Sequence, residues 1–201
     1  MKQLLRSYHL LYILLYPLVH LLYPIRVRHS ERLPDGPMVL CAPHSSMLDP
    51  IFLMMAMTIK RFPRFMAKKE LRSVPFVGWV LKRIGVIFVD RGIADIASIR
   101  AALGVLKSGG IVGIFPEGTR VQEDHAAAAK SGAIMLASRT GAALQPVWMP
   151  RKKRIFRPVE IVFGEPYTLP RLSGGSEAYH VYAEDLMRRI GLLGKEKAGC
   201  T

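Results

Sequence analysis

The stretch Met38-Val39-Leu40-Cys41-Ala42-Pro43-His44-Ser45-Ser46-Met47-Leu48-Asp49-Pro50 decides the fold. Its first five residues form a short apolar run, a candidate strand. Asp49-Pro50 is a helix start, with a short carboxylate at the cap and proline at the first helical position. The whole reads as strand, loop, helix, with histidine and serines in the loop.

The same unit recurs outward from it. Candidate strands are Met38–Ala42, Arg64–Ala67, Gly85–Asp90, Gly110–Phe115, Ala142–Met149 and Val159–Phe163, rich in Val, Ile and Phe and bounded by Gly or Pro. Helical patterns occupy Pro50–Lys60, Pro75–Ile84, Ile93–Lys107, Ala126–Thr140 and Glu177–Leu193. Ile96, Ala97, Leu103 and Leu106 fall near one face at a 3.6-residue period. Alternating strands and helices predict an α/β domain with a largely parallel central sheet flanked by helices. Its sites are expected at the loops leaving the carboxyl ends of the strands.

Composition narrows the partners. Half of the 201 residues are apolar and 22% are charged, which excludes a disordered chain. There are 29 Lys+Arg against 15 Asp+Glu, a formal net charge of +14, so the surface attracts polyanions. Nucleic acid, anionic lipid and an acidic carrier protein all satisfy charge alone; the chain has no recognised nucleic-acid-binding motif. Cys41 and Cys200 are far apart and form no CxxC, which excludes a disulfide framework and a cysteine-based zinc site. No metal-ligand spacing is present.

Leu10 to Leu22 reads LLYILLYPLVHLL, with Lys2 and Arg6 before it and Arg26, Arg28 and Arg32 after it. It lacks a small-residue cleavage site and is shorter than the about 20 apolar residues of a spanning helix. Its tyrosine and arginine fringe suits a helix lying in a membrane interface. A true span and a buried core helix are the alternatives. The expected division is an anchoring segment over 1–30 and an α/β domain over 31–201.

Four polar blocks carry the chemistry. In the first, His44 and Asp49 are five apart, about 500° of rotation on one helix, so they meet only if the chain bends between them. Either Asp49 merely caps a helix and His44 is a loop histidine, or the carboxylate orients the imidazole for proton transfer. The second, Gly85 to Gly92, delivers Arg91 past a strand end, as a surface partner of Asp90 or as a forked phosphate ligand. The third, Gly113 to Arg120, bears Glu117, Gly118, Thr119 and Arg120 on a turn where glycine lets backbone amides face an anion. The fourth is Gln145-Pro146-Val147, an edge or bulge signal by itself.

In order and spacing, these blocks resemble the HxSxxD, GxIFVDR, FPEGTR and Pro-Val motifs of glycerolipid acyltransferases of the bacterial 1-acyl-glycerol-3-phosphate acyltransferase type. The resemblance extends to Ala67-Lys68-Lys69-Glu70-Leu71 and Lys130-Ser131-Gly132-Ala133 and covers roughly 38 to 150. Pro43 and Val121 depart from the common Asn and Ser, and neither touches the acid–base pair. The resemblance implies His44 as general base and Asp49 as its orienting carboxylate. It implies that Arg91 and Arg120 hold the acceptor phosphate, with Glu117, Gly118 and Thr119 shaping that pocket and Lys68 adding charge. It implies attack by the sn-2 hydroxyl of lysophosphatidic acid on a thioester, from acyl-CoA or acyl carrier protein, without a cofactor, an acyl-enzyme or nucleic acid. The expected location is the cytoplasmic face of the cell membrane, against its phospholipids. An acyltransferase for another lyso-lipid, such as lyso-ornithine lipid or lysophosphatidylcholine, is a near alternative. A basic lipid-binding module without activity is a more distant one. A serine hydrolase through Ser45 or Ser46 would need a nucleophile elbow, and no GxSxG occurs. Arg151-Lys152-Lys153-Arg154 reads as a solvated charged face, a lipid-facing one or a docking site for an acidic donor.

Overall fold

The computed structural model describes residues 2–57, 61–90, 95–120, 130–172 and 176–198. Seven strands form one sheet in the order β1-β7-β6-β2-β5-β3-β4. They are β1 (Ile25–Arg28), β2 (Met38–Cys41), β3 (Pro63–Lys68), β4 (Ile87–Val89), β5 (Ile111–Ile114), β6 (Ala143–Trp148) and β7 (Val159–Phe163). Every neighbouring pair is parallel except β6–β7. The helices are α1 (Lys2–Leu22), α2 (Asp49–Ala56), α3 (Val77–Arg83), α4 (Ile96–Lys107), α5 (Gly132–Thr140) and α6 (Ser176–Ala198). The α/β architecture and the parallel centre agree with expectation.

β2 lies between β5 and β6, and all four of its side chains are out of solvent. Its alternate residues feed two cores, as the pleat requires. Val39 and Cys41 pack with α4, α5 and α6; Met38 and Leu40 pack with Phe52, Phe65 and Phe163 on the other face. Burial pushes the Cys41 thiol up, so it behaves as a small core hydrophobe.

The structure corrects the reading of three segments. β1 was not expected: Ile25-Arg26-Val27-Arg28 brings the chain into the sheet ahead of position 31. Among the described residues it is an edge strand paired with β7, and its arginines are exposed, Arg28 pairing with Glu160. Charged residues are common on such edges, and they mask the strand pattern. Pro146 lies on an internal strand, not an edge. It forms the last register pair with β2, opposite Cys41. α2 ends at Ala56, short of the expected position 60.

α1 starts at Lys2 and takes in Pro17. The stretch Leu4–Leu22 is long and apolar enough to cross a membrane. One stripe of it, Tyr8, Leu11, Leu15 and Val19, lies on the domain, and Tyr8 stacks on Phe62 at 4.3 Å. The opposite stripe, Leu10, Ile13, Leu14 and Leu21, is exposed. The helix thus packs on the domain by one apolar face and leaves a second apolar face uncovered.

Candidate active site

β2, β3, β4, β5 and β6 run parallel, so the loops leaving their carboxyl ends gather at one end of the sheet. The loop after β2 carries His44, and α2 begins at Asp49. The Asp49 carboxylate turns back over this loop. Its Oδ2 accepts the Ser45 amide at 2.7 Å and the Ser46 amide at 2.8 Å. The same oxygen lies 3.0 Å from Nδ1 of His44. The capping reading of Asp49 is corrected: Leu48 is the N-cap and Asp49 the first helical residue, and its side chain holds the preceding loop and the ring, not the helix end.

A carboxylate accepts only, so Nδ1 carries the hydrogen and Nε2 of the neutral ring is the unprotonated nitrogen. The ring is also held from the side. Phe115, just past β5, stacks on it at 4.2 Å between centroids and 20° between planes. Phe65 of β3 stacks behind Phe115 at 5.9 Å.

Behind the pair lie two cations, Lys153 with its side chain nearly out of solvent and Arg151 half-buried. Nζ of Lys153 is 2.6 Å from Asp49 Oδ1 and 3.0 Å from Ser45 Oγ. The guanidinium of Arg151 pairs with Glu117 Oε1, while Glu117 Oε2 accepts the backbone N–H of His44 at 3.0 Å. Ser45 Oγ donates to the carbonyl of Arg151 at 2.8 Å. Loops from β2, β5 and β6 are thus joined by carboxylates that leave solvent entirely. Burial alone would raise the Asp49 carboxyl. The hydrogen bond from His44, the Lys153 ammonium and the Ser46 amide instead hold it below the usual carboxylate range. Burial holds the Lys153 ammonium below the ordinary lysine value, although Asp49 pulls the other way.

In front of the ring is a cavity of about 400 Å³. Tyr8, Leu11 and Leu15 of α1, Ile51 and Met54 of α2, Val80 and Leu81 of α3, and Ile84 just after it give it an apolar wall. Lys68, Thr119, Arg120 and His44 also line it. Lys68, Thr119 and Arg120 are exposed, which puts cations beside the ring of an otherwise apolar chamber.

The structure thus brings together His44, Asp49, Lys68, Thr119 and Arg120. Glu117 is adjacent but faces inward, to the His44 amide and Arg151. Gly118 turns with φ +67° and lines an adjoining cavity with Phe115 and Lys130. Arg91 lies outside the described residues.

Arg151, Lys153 and Phe115 have positions in the site that sequence reasoning did not assign. The signal available for the two cations was their place in the basic run three and five residues after β6, where the chain bends at 151–152.

A carboxylate-backed imidazole at the strand ends of an α/β sheet, open to an apolar chamber with cations, has the parts of a general base facing an amphiphile. Residues 24–150 match the family model Acyltransferase, and the chain belongs to that family. It is 35% identical over 184 residues to the 1-acyl-sn-glycerol-3-phosphate acyltransferase of Bacillus subtilis (strain 168), covering 84% of this chain and 91% of that one. It is 34% identical over 125 residues to the Lyso-ornithine lipid O-acyltransferase of Pseudomonas aeruginosa (strain PAO1), covering 62% of this chain and 47% of that one. A crystal structure of the 1-acyl-sn-glycerophosphate (LPA) acyltransferase, PlsC, from Thermotoga maritima superposes with a TM-score of 0.67 at 26% identity. That match covers 98% of this chain and 79% of the other.

Proposed function

We propose that this enzyme transfers a fatty acyl group from a thioester to the sn-2 hydroxyl of lysophosphatidic acid, giving phosphatidic acid. The observation that carries the reading is the His44–Asp49 pair opening onto an apolar cavity beside Lys68 and Arg120. Nε2 of His44 takes the proton of the attacking hydroxyl while its oxygen bonds to the thioester carbonyl carbon. The tetrahedral intermediate collapses with loss of thiolate, which takes the proton back from the imidazolium. Asp49 stabilises that imidazolium throughout. The cavity takes an acyl chain, and Lys68, Arg120 and, from its place in the sequence, Arg91 meet the phosphate. Acyl-CoA and acyl carrier protein are both anionic donors suited to the basic surface. α1 lies in the membrane interface at the cytoplasmic face, where both lipids are within reach.

The test is an acceptor-by-donor matrix on the detergent-solubilised protein. Lysophosphatidate and either donor give phosphatidate, and His44→Ala abolishes it; normal turnover by that variant overturns the mechanism. The Pseudomonas aeruginosa relative supports a second reading, transfer to lyso-ornithine lipid. Turnover of that acceptor in preference to lysophosphatidate, unaffected by Arg120→Ala, would select it.

A further inference from the structure

We propose that the start of α3 and the loop at 155–156 are bilayer contacts additional to α1. In this arrangement Phe76 and Trp79 near the start of α1, and Phe156 at its end, enter the headgroup–acyl boundary of an anionic leaflet. The inference rests on the lipid-facing orientation of α1 given above.

Phe76 is 77% exposed, Trp79 57% and Phe156 69%. Large rings left in water need a reason. Other exposed apolar residues include the outer stripe of α1, Met47 and Leu48 after His44, Val74 and Val77, and Ile155, while Ile96 on α4 and Val181 and Leu192 on α6 are exposed elsewhere. Two contacts place these segments on α1. A side-chain methyl at Gly85, just after α3, would meet Leu4 near the start of α1. The Phe156 amide donates to the carbonyl of Leu22, the last residue of α1, at 2.6 Å. The inward face of α3 (Val77, Val80, Leu81) lines the cavity with Tyr8, Leu11 and Leu15, so the ring pair sits on the outer side of the cavity wall.

The ring pair is packed together and covered by a cation. Phe76 and Trp79 are 6.3 Å apart and 22° from parallel, and the Arg83 guanidinium covers the indole at 5.0 Å. Gly78 packs so tightly on the Arg72 carbonyl that a methyl there would lie 2.2 Å from it. Phe76 and Phe156 both take positive φ, 59° and 61°, a backbone state that phenylalanine seldom adopts. Each phenylalanine is thus kept on an exposed turn where a glycine would be less strained.

Charge selects the occupant. Between positions 68 and 84 five cations face the single acid Glu70, and Arg72, Lys82 and Arg83 are exposed. Aromatic rings at the boundary with cations beside them match an anionic lipid surface. A soluble protein partner would have to cover the outer stripe of α1 as well.

The experiment uses the full chain with Trp148→Phe, which leaves Trp79 as its sole indole. Vesicles of phosphatidylglycerol and phosphatidylcholine should blue-shift Trp79 emission, and phosphatidylcholine brominated on its upper acyl carbons should quench it. Because Trp148 packs on α6 at Gly194, the complementary variant Trp79→Phe is run beside it and should lose the vesicle-induced shift. Phe76→Ser with Phe156→Ser should weaken vesicle partition at least about tenfold, the order expected for withdrawing two rings from a bilayer. Sedimentation with vesicles while Trp79 stays unshifted and unquenched overturns the proposal, as does failure to bind vesicles. A blue shift that needs no vesicles but grows with protein concentration overturns it in favour of a second copy on this face. None of these readouts needs turnover: a chain that transfers no acyl group yet shows quenched Trp79 removes the proposed reaction and keeps this contact.

Discussion

The ammonium of Lys153 lies 2.6 Å from Oδ1 of Asp49, and the two side chains are only 5% and 0% exposed. The carboxylate that orients His44 is therefore shared with a buried cation delivered by a segment more than 100 residues later. Removing one partner of a buried pair leaves an uncompensated charge, at a cost of about 3–5 kcal/mol. Lys153→Met is expected near the lower end, because Asp49 keeps two amides and the ring. Urea denaturation checks this; an unchanged midpoint would show that the pair contributes nothing. Lys153→Arg retains the charge and should recover most of the stability.

Asp49 also sets a pH dependence. Its folded pKa is lowered relative to the unfolded chain, so its contribution to stability is complete above the unfolded carboxylate value of about 3.9. It disappears as pH falls through the lower folded value. The difference in melting temperature between wild type and Asp49→Asn should be largest near neutrality and shrink below about pH 4. Scanning calorimetry of both proteins across that range measures it, and a gap that widens in acid contradicts the sign.

Glu117 fixes the backbone of His44 while Arg151 neutralises it. Glu117→Leu should lower kcat about 100-fold, the order expected when a catalytic group shifts by about 1 Å. Glu117→Gln keeps an acceptor for the amide and should lose less. Arg151→Ala strands the carboxylate, so the Glu117→Gln, Arg151→Ala double variant should lose less than the sum of the single effects. Steady-state kinetics on the four proteins decides.

Arg120 is exposed beside the cavity. If it meets the acceptor phosphate, Arg120→Ala removes a charge-assisted hydrogen bond worth about 1.5–3 kcal/mol. KM for lysophosphatidate should then rise about 10- to 100-fold with little change in kcat, and an acceptor without phosphate should be indifferent. A kcat loss with KM unchanged would assign Arg120 elsewhere.

The cavity wall makes a prediction about donors. Leu81→Trp adds bulk where Leu81, Ile84 and Tyr8 line the chamber. Long-chain thioesters should lose kcat/KM relative to short-chain ones, read in a competition assay by product mass. An unchanged ratio would place the acyl chain outside this cavity.

Much of this was legible from local pattern. A strand buried on both faces must be apolar throughout, and β2 shows as an unbroken run. α4 was legible as a helix, but not by the right face: Ile96 and Ala97 are exposed, and the buried side carries Ser98, Ala102, Val105 and Leu106. Asp95 caps it by accepting the Ser98 amide at 3.0 Å. β1 was hidden because an edge strand needs no apolar alternation when its outer groups face water. The His44–Asp49 pair was visible as two residue types at a spacing that helix geometry forbids. Their meeting depends on the loop folding around one carboxylate oxygen, which spacing alone does not encode.

The sequence by itself determined the strand-loop-helix order, the basic surface, the apolar N-terminal helix and the polar groups at each strand end. Those follow from periodicity and turn chemistry, which act over a few residues. Only the tertiary structure decided which charges are dry. Lys153 and Lys152 are neighbours of one type in the chain, yet parallel crossovers that set β6 beside β2 carry Lys153 to Asp49. Desolvation and pairing depend on what lies across the sheet, and no local pattern records that.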